Sequence, residues 1–340
     1  MIQSKRCCWA NNKIGILYLA GFLFLGGATL LGLMIGSTRL SFSEMMDAFQ
    51  KGFQFSPGTR IFAYVRLPRT LAALACGAAL SVSGAIIQSV LGNRLASPSI
   101  IGVNAGAGLA VTLCTALGFL GGWQLSLFSF LGAFAAVMLV TLGAKKWGAS
   151  RGTVILIGVA MNSLLGAASD TITTLIPEVG VMSNDFKIGA FFSVTYQKLI
   201  PAVVLIVAAI LVLRTMHNEL EVLSLGEESA SALGLNTKLL QTLFLLLAAL
   251  LAGCAVALAG LLSFVGLLVP HGIRRLAGNQ SSHLIDLCAL YGAGFVCLCD
   301  TLARTVFSPY ELPVGIIMAY LGAPFFLFIL VRGKGGKRND

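Results

Sequence analysis

Four carboxylates, Glu219, Glu221, Glu227 and Glu228, crowd into the segment HNELEVLSLGEESASALGLNTK at 217–238. Apolar runs flank that segment on both sides, so it returns to water and offers a grip to a soluble partner. A second set is cationic: Arg66 and Arg69 flank Pro68, and Arg304 lies four residues after Asp300, the spacing of an ion pair on one helix face. Asp170 is a carboxylate well inside an apolar run, and an ionisable residue at membrane depth is a functional candidate by default. His271 after Pro270 invites thoughts of a proton relay or an iron ligand, but a lone histidine beside a helix-breaking proline more simply caps local backbone, and His217 and His283 are distant from it in this topology. The cysteines Cys7, Cys8, Cys76, Cys114, Cys254, Cys288, Cys297 and Cys299 show no CxxC or zinc spacing and mostly lie in apolar runs, which suits packing. No GxxxxGK[ST] phosphate loop and no nucleophile with a neighbouring base occurs, so any ATP this chain depends on is bound elsewhere.

The elements that carry these residues are set by composition. The chain has 57% hydrophobic and 11% charged residues and a mean hydropathy of +0.91, whereas soluble domains carry roughly 25% charged residues. The apolar blocks are too many and too continuous for one soluble core, and they lack the alternation of barrel strands. An all-α polytopic membrane protein follows. Blocks of about 20 residues lie near 14–36, 70–91, 98–120, 123–144, 153–176, 199–214, 284–303 and 312–331. The first is longer than a signal-peptide core and lacks a clear cleavage site, so it reads as a retained span. The run 239–269 is too long for one straight span and short for two full ones, with Gly260 and Pro270-His271 as its breakers.

Charge decides the count. Splitting 239–269 into a full helix and a short, broken one gives ten spans and puts both termini, and most of the 23 Lys and Arg, on the cytoplasmic side; nine spans would translocate Arg274, Arg275 and the basic tail. The net charge of +10 is then membrane anchoring, not a nucleic-acid surface. On this reading residues 1–340 form one transmembrane domain. Residues 1–13 are cytoplasmic, 37–69 form an extracytoplasmic loop, 177–197 a second outer segment, 217–238 a cytoplasmic segment and 332–340 a cytoplasmic tail. GAALSVSG at 77–84 and GCAVALAG at 253–260 share their glycine spacing, a weak echo of an inverted repeat.

Three stretches go beyond hydropathy: 66–108 with R-L-P-R, 223–236 with the run LSLGEESASALGLN, and 259–326 with G-L-L-V-P-H and E-L-P-V-G. Together they resemble the permease family of type II ABC importers for ferric siderophores, haem and cobalamin (FecCD/BtuC-like), over about 60–331. The resemblance implies a permease subunit that makes and breaks no bond. It works beside a second permease subunit, identical or related, a cytoplasmic ABC ATPase dimer holding ATP and Mg, and an extracytoplasmic substrate-binding protein in a bacterial cell membrane.

The resemblance also implies roles. Leu225, Gly226, Glu227, Ala230, Leu233, Gly234 and Leu235 match the element that docks on the ATPase, with His217 to Glu221 and Asn236 to Lys238 as connectors. Arg66, Arg69 and Arg304 match positions that meet carboxylates of the binding protein; lipid-headgroup anchoring would use them equally well. Asn93, Arg94 and Leu95, with Ala149, Ser150 and Arg151, match the cytoplasmic gate, where the family's N-P-L-A reads N-R-L-A and Arg94 replaces a rigid proline. From spacing alone, Asn162, Gly166, Ser169 and Thr173 form one stripe of the fifth span and, with Asp170, suit a pathway wall, or alternatively close helix packing. No metal site is required, because the iron would travel inside its chelator. A ferric siderophore is the first expectation for the cargo, haem or cobalamin the alternatives. An ion-coupled secondary transporter would need paired buried carboxylates in both halves, and Asp170 has no evident counterpart.

Overall fold

A backbone in lipid must hydrogen-bond to itself, and a helix does so within one segment. The computed structural model describes residues 2–36, 46–48, 50, 53, 56–119, 121–146 and 151–335. The helices are α1 (Ile2–Met34), α2 (Pro57–Leu91), α3 (Val103–Ala116), α4 (Gly122–Lys146), α5 (Arg151–Leu175), α6 (Pro177–Ile188), α7 (Tyr196–Thr215), α8 (His217–Ser224), α9 (Glu227–Ala232), α10 (Thr237–Ala259), α11 (Val265–Ala277), α12 (Ser281–Thr305) and α13 (Val314–Gly335). Seven of them, α1, α2, α4, α5, α7, α10 and α12, are long and apolar enough to cross a membrane, and α3 and the stretch Val314–Leu327 of α13 are shorter apolar helices. The all-α polytopic class is as composition requires.

Several boundaries differ from the hydropathy reading, each for a local reason. The outer loop expected to reach residue 69 ends earlier, because helix starts at Pro57. Ser56 and Thr59 cap it reciprocally, each side chain accepting from the other's backbone N–H. One widened π turn, Phe62–Arg66, then carries the chain past Pro68. Proline has no N–H to give, and the Ala63 carbonyl, five residues before it, accepts from Tyr196 Oη instead. The expected span 98–120 is helical only from Val103, after a run of turns at 92–102. The outer segment 177–197 contains the 12-residue helix α6.

The run 239–269 divides into α10 and α11 as expected, but the break is at 260–264 and Pro270 lies inside α11. Gly260 turns there with φ +73°, and a Cβ would meet the Phe186 carbonyl at 2.4 Å. The backbone at the break finds partners in the last turn of α6 and the residues just after it: Leu261 N donates to Phe186 O at 2.9 Å and Ala190 N to Ala259 O at 2.7 Å. Within α11, the Gly266 carbonyl that Pro270 cannot serve accepts from Gln88 Nε2 at 3.0 Å.

α2 is the axis of the bundle. Of its apolar window 78% is buried, against 11% for α1 and 17% for α5, so α1 and α5 present flanks and α2 packs against α10, α11 and α12. Small residues make this possible. Gly77 faces Gly292 of α12 so closely that a Cβ would lie 2.1 Å from the Gly292 carbonyl, and Gly84 faces Gly266 of α11 at 2.0 Å. Serines bond across these seams: Ser81 Oγ to Cys288 O and Ser83 Oγ to Ala248 O, each at 2.6 Å. The pairs Ser81–Cys288 and Arg69–Asp300 run in opposite chain directions, as do Cys76–Ala255 and Ser83–Ala248, so α2 lies antiparallel to both α12 and α10. The segments 77–84 and 253–260 sit on these antiparallel partners.

Gly77→Ala forces backbone against backbone and should cost about 1–3 kcal/mol, read as a lower Tm of the purified protein in detergent. Gly108→Ala, whose Cβ meets nothing within 4 Å, should leave the Tm unchanged or raised.

Candidate functional site

The acidic segment 217–238 is two short helices at a bend. α8 turns Leu220 and Leu223 inward, both fully buried, and α9 does the same with Ala230. Between them Gly226 adopts φ +128° and ψ 157°, a conformation essentially confined to glycine. Glu227 and Glu228 occupy the first turn of α9, at the positive end of its dipole. Leu225 and Leu233, at either end of α9, are 69% and 67% exposed: two apolar side chains held out to solvent on a fixed support.

That support is tied down. Glu227 Oε1 accepts from Gln241 Nε2 of α10 at 2.7 Å, and Glu221 Oε2 accepts from Ser281 N, the first amide of α12, at 3.3 Å. Arg214, just before α8, pairs with Asp286 of α12 at 2.9 Å, and Tyr18 of α1 donates to the same carboxylate at 3.1 Å. The flanks are therefore not connectors: His217 to Glu221 form most of α8, and Asn236 caps α10 by accepting from Leu239 N at 3.2 Å.

At the opposite end of α12, Arg66, Arg69 and Arg304 are together, but not at the surface. They are 3%, 6% and 2% exposed, so the expected outward display of charge is not what the side chains do. Asp300, 1% exposed, is the reason. It receives Arg69 Nη2 at 2.9 Å and Nε at 3.1 Å, and Arg304 Nε at 3.1 Å in the i,i+4 pairing foreseen from spacing. Arg69 Nη1 also reaches Glu311 Oε2 at 2.6 Å, and its guanidinium lies 5.3 Å from the Phe192 ring centroid. Arg304 Nη2 donates to Gly32 O at 3.2 Å, and Arg66 Nη1 donates to Ile35 O. The cluster thus pins the end of α1, α2, α12 and the 306–313 loop to one another. That loop leaves Val306, Phe307 and Tyr310 more than half exposed.

The stripe on α5 splits. Asn162 Nδ2 donates to Ser99 O at 2.8 Å and Ile100 O at 3.1 Å, so it serves the irregular 92–102 backbone. Ser169 is buried against Thr112 of α3 at 2.9 Å. Thr173 bonds back to the Asp170 carbonyl, and a Cβ at Gly166 would meet nothing within 4 Å. Asp170 itself is exposed, on a face it shares with Ser163, Ala167, Thr171 and Thr174.

At the gate turn, Ala96 N donates to Asn93 O at 3.1 Å and Asn93 Oδ1 accepts from Leu95 N at 2.9 Å. Arg94 is the second residue of this turn, a position proline favours but does not own, so the turn forms without it. Arg94 and Leu95 are exposed, and they line a small cavity with Phe264, His271 and Gly322. Ala149 and Ser150 lie outside the described residues, as does the side chain of Arg151, which begins α5. Among the described residues no three His, Cys, Asp or Glu side chains gather as a metal site would need.

A multi-pass helical bundle with a rigid, leucine-tipped polar segment at one end and a buried charge cluster at the other defines a membrane permease. The chain belongs to the FecCD transport family, whose pattern matches residues 23–332, and so to the FecCD/BtuC type II ABC importer permeases. It is 34% identical to the Fe(3+)-citrate import system permease protein YfmD of Bacillus subtilis, over 96% of this chain and 98% of that one. It is also 34% identical to the hemin transport system permease protein HmuU of Yersinia pestis, over 94% and 95%. A solved inward-facing metal-chelate type ABC transporter superposes with a TM-score of 0.82 at 31% identity, covering 94% of this chain and 99% of that one.

Asp300→Asn strips both buried arginines of their shared counter-charge and should cost about 3–5 kcal/mol. Glu311→Gln removes a carboxylate that is 26% exposed and should cost no more than about 1 kcal/mol. Thermal unfolding of the two variants side by side checks the order.

Proposed function

We propose that this chain is the permease subunit of an importer that moves an iron chelate, first a ferric siderophore, into the cytoplasm, driven by ATP bound with Mg on a partner ATPase dimer. The observation that carries the reading is the α8–α9 segment: buried Leu220, Leu223 and Ala230 fix it, and exposed Leu225 and Leu233 offer apolar contacts to a groove on a soluble subunit. On this reading α8–α9, the 93–95 turn and both termini face the cytoplasm, a second permease subunit completes the pathway, and a substrate-binding protein docks outside.

The outer docking surface is then the exposed 306–310 loop, and Arg66, Arg69 and Arg304 act on it indirectly, by holding Glu311 and the end of α12 in place. The pathway wall on α5 is the open face carrying Ser163, Ala167, Asp170 and Thr174, with Asn162 and Ser169 bracing it from behind. Haem and cobalamin are the second readings, since the chain is similar to hemin and vitamin B12 permeases to nearly the same degree as to the citrate one.

Co-purification with the cognate ATPase tests the coupling role. Leu225→Asp with Leu233→Asp should abolish the complex and ATP-driven uptake, while Glu228→Gln leaves both intact; an unaffected double variant sinks the docking assignment. Uptake of radiolabelled ferric siderophore against haem, in cells relying on this importer, decides the cargo. With Cys7 and Cys8 replaced and the six buried native cysteines as the unreactive background, cysteines introduced one at a time at 163, 167 and 174 should react with a water-soluble maleimide, whereas cysteines at 162 and 169 stay protected.

A further inference from the structure

Two adjoining cavities lie where α4 and α7 begin. Lys198 there is about 25 Å along α7 from the α8–α9 end of the bundle. The first cavity, about 230 Å³, is the polar one, bearing Ser126, Asp185, Ser193 and Lys198. The second, about 540 Å³, is a groove between α4 and α7, walled by Trp123, Leu127, Phe130, Pro201 and Leu205, with Cys254 and Ala257 of α10 beneath. Ser126, Lys198 and Ala257 line both, so a cation stands at their junction. Only 33% of the apolar window of α4 and 28% of that of α7 is buried, so the groove opens on the flank of the bundle.

Among the described residues the charges at this place are not spent inside the protein. Lys198 Nζ donates once, to Ser193 O at 3.2 Å, and an ammonium has three N–H donors. Among the described residues neither Lys198 nor Asp185 makes an ion pair. Trp123, 55% exposed at the start of α4, has the position of an indole at headgroup depth. The ~540 Å³ groove is of ligand size, and on a lipid-facing flank its walls select acyl chain over water.

We infer that the two cavities seat one phospholipid with an amine-bearing headgroup, of the phosphatidylethanolamine class. An acyl chain lies in the groove against Phe130 and Leu205, the phosphate meets Lys198 at the junction, and the ammonium meets Asp185 in the polar cavity. The order apolar wall, cation, anion repeats the order acyl chain, phosphate, amine. An anionic glycerol headgroup brings hydroxyls but no positive charge to Asp185, and a choline headgroup has no N–H to donate to it.

The full-length protein has three tryptophans, so Trp9→Phe with Trp147→Phe leaves Trp123 as the sole tryptophan, excited selectively over the tyrosines at the red edge. This protein is reconstituted in phosphatidylcholine bilayers doped with bromo-acyl phosphatidylethanolamine, phosphatidylglycerol or phosphatidylcholine, and quenching is read against mole fraction. Two partly exposed charge contacts predict half-quenching at about fivefold lower mole fraction for the ethanolamine lipid. Lys198→Gln should abolish that preference, and Asp185→Asn should move it toward phosphatidylglycerol. Equal quenching by all three lipids, phosphatidylglycerol preferred in the protein with Lys198 and Asp185 intact, or no quenching by any of them because another protein surface covers the groove, would each overturn the assignment. The comparison among lipids uses unaltered cavities, so it stands even if a charge variant fails to fold.

Discussion

Every peptide group that this chain carries through lipid has to find its hydrogen bond inside the protein, and that requirement organises the bundle. Regular helix meets it without help. The interesting residues are those that meet it where helix fails: Tyr196 for the carbonyl stranded by Pro68, Gln88 for the one stranded by Pro270, Asn162 for the turns at 92–102, and the 186–190 backbone for the break after α10. Each of these partners comes from a different helix or segment than the one it serves. Irregular backbone is therefore possible only where a second element is packed against it, and the short helices α3 and α11 begin at such places.

The buried charges obey a related rule. A guanidinium taken out of water costs several kcal/mol unless its partner geometry is good, and three are buried at one end of this bundle. Asp300 and Glu311 supply the counter-charge, and carbonyls at the end of α1 take further N–H groups. Such a cluster adds little net stability over an apolar core of the same volume, but removing one partner leaves a buried charge uncompensated, so its members are interdependent. The arginines are then more useful as internal fasteners than as surface charges.

Much of this was legible in sequence. Hydropathy found the long helices and the need to break 239–269. The i,i+4 spacing of Asp300 and Arg304 also held. What escaped was information that no local window contains. Arg69 reads as an exposed cation until Asp300, more than two hundred residues later in the chain, is known to lie beside it. Asn162 sits on a polar stripe that suggests a pore wall, yet its amide is consumed by the 99–100 carbonyls, and only packing reveals which face of α5 is left open. The helical start at Pro57 was hidden because the stretch before Pro68 is too charged to register as a span, although the Ser56–Thr59 cap was readable.

α12 touches both ends of this architecture. Its first amide is held by Glu221 of α8, and Asp300, about 29 Å further along its axis, holds the arginine cluster. Between them runs uninterrupted helix, sewn to α2 by the Gly77–Gly292 contact. The helix is thus a connecting rod with a fitting at each end. Between the α8 contact and the 306–313 loop there is continuous helix and no flexible joint, so the two ends of the bundle share one rigid element.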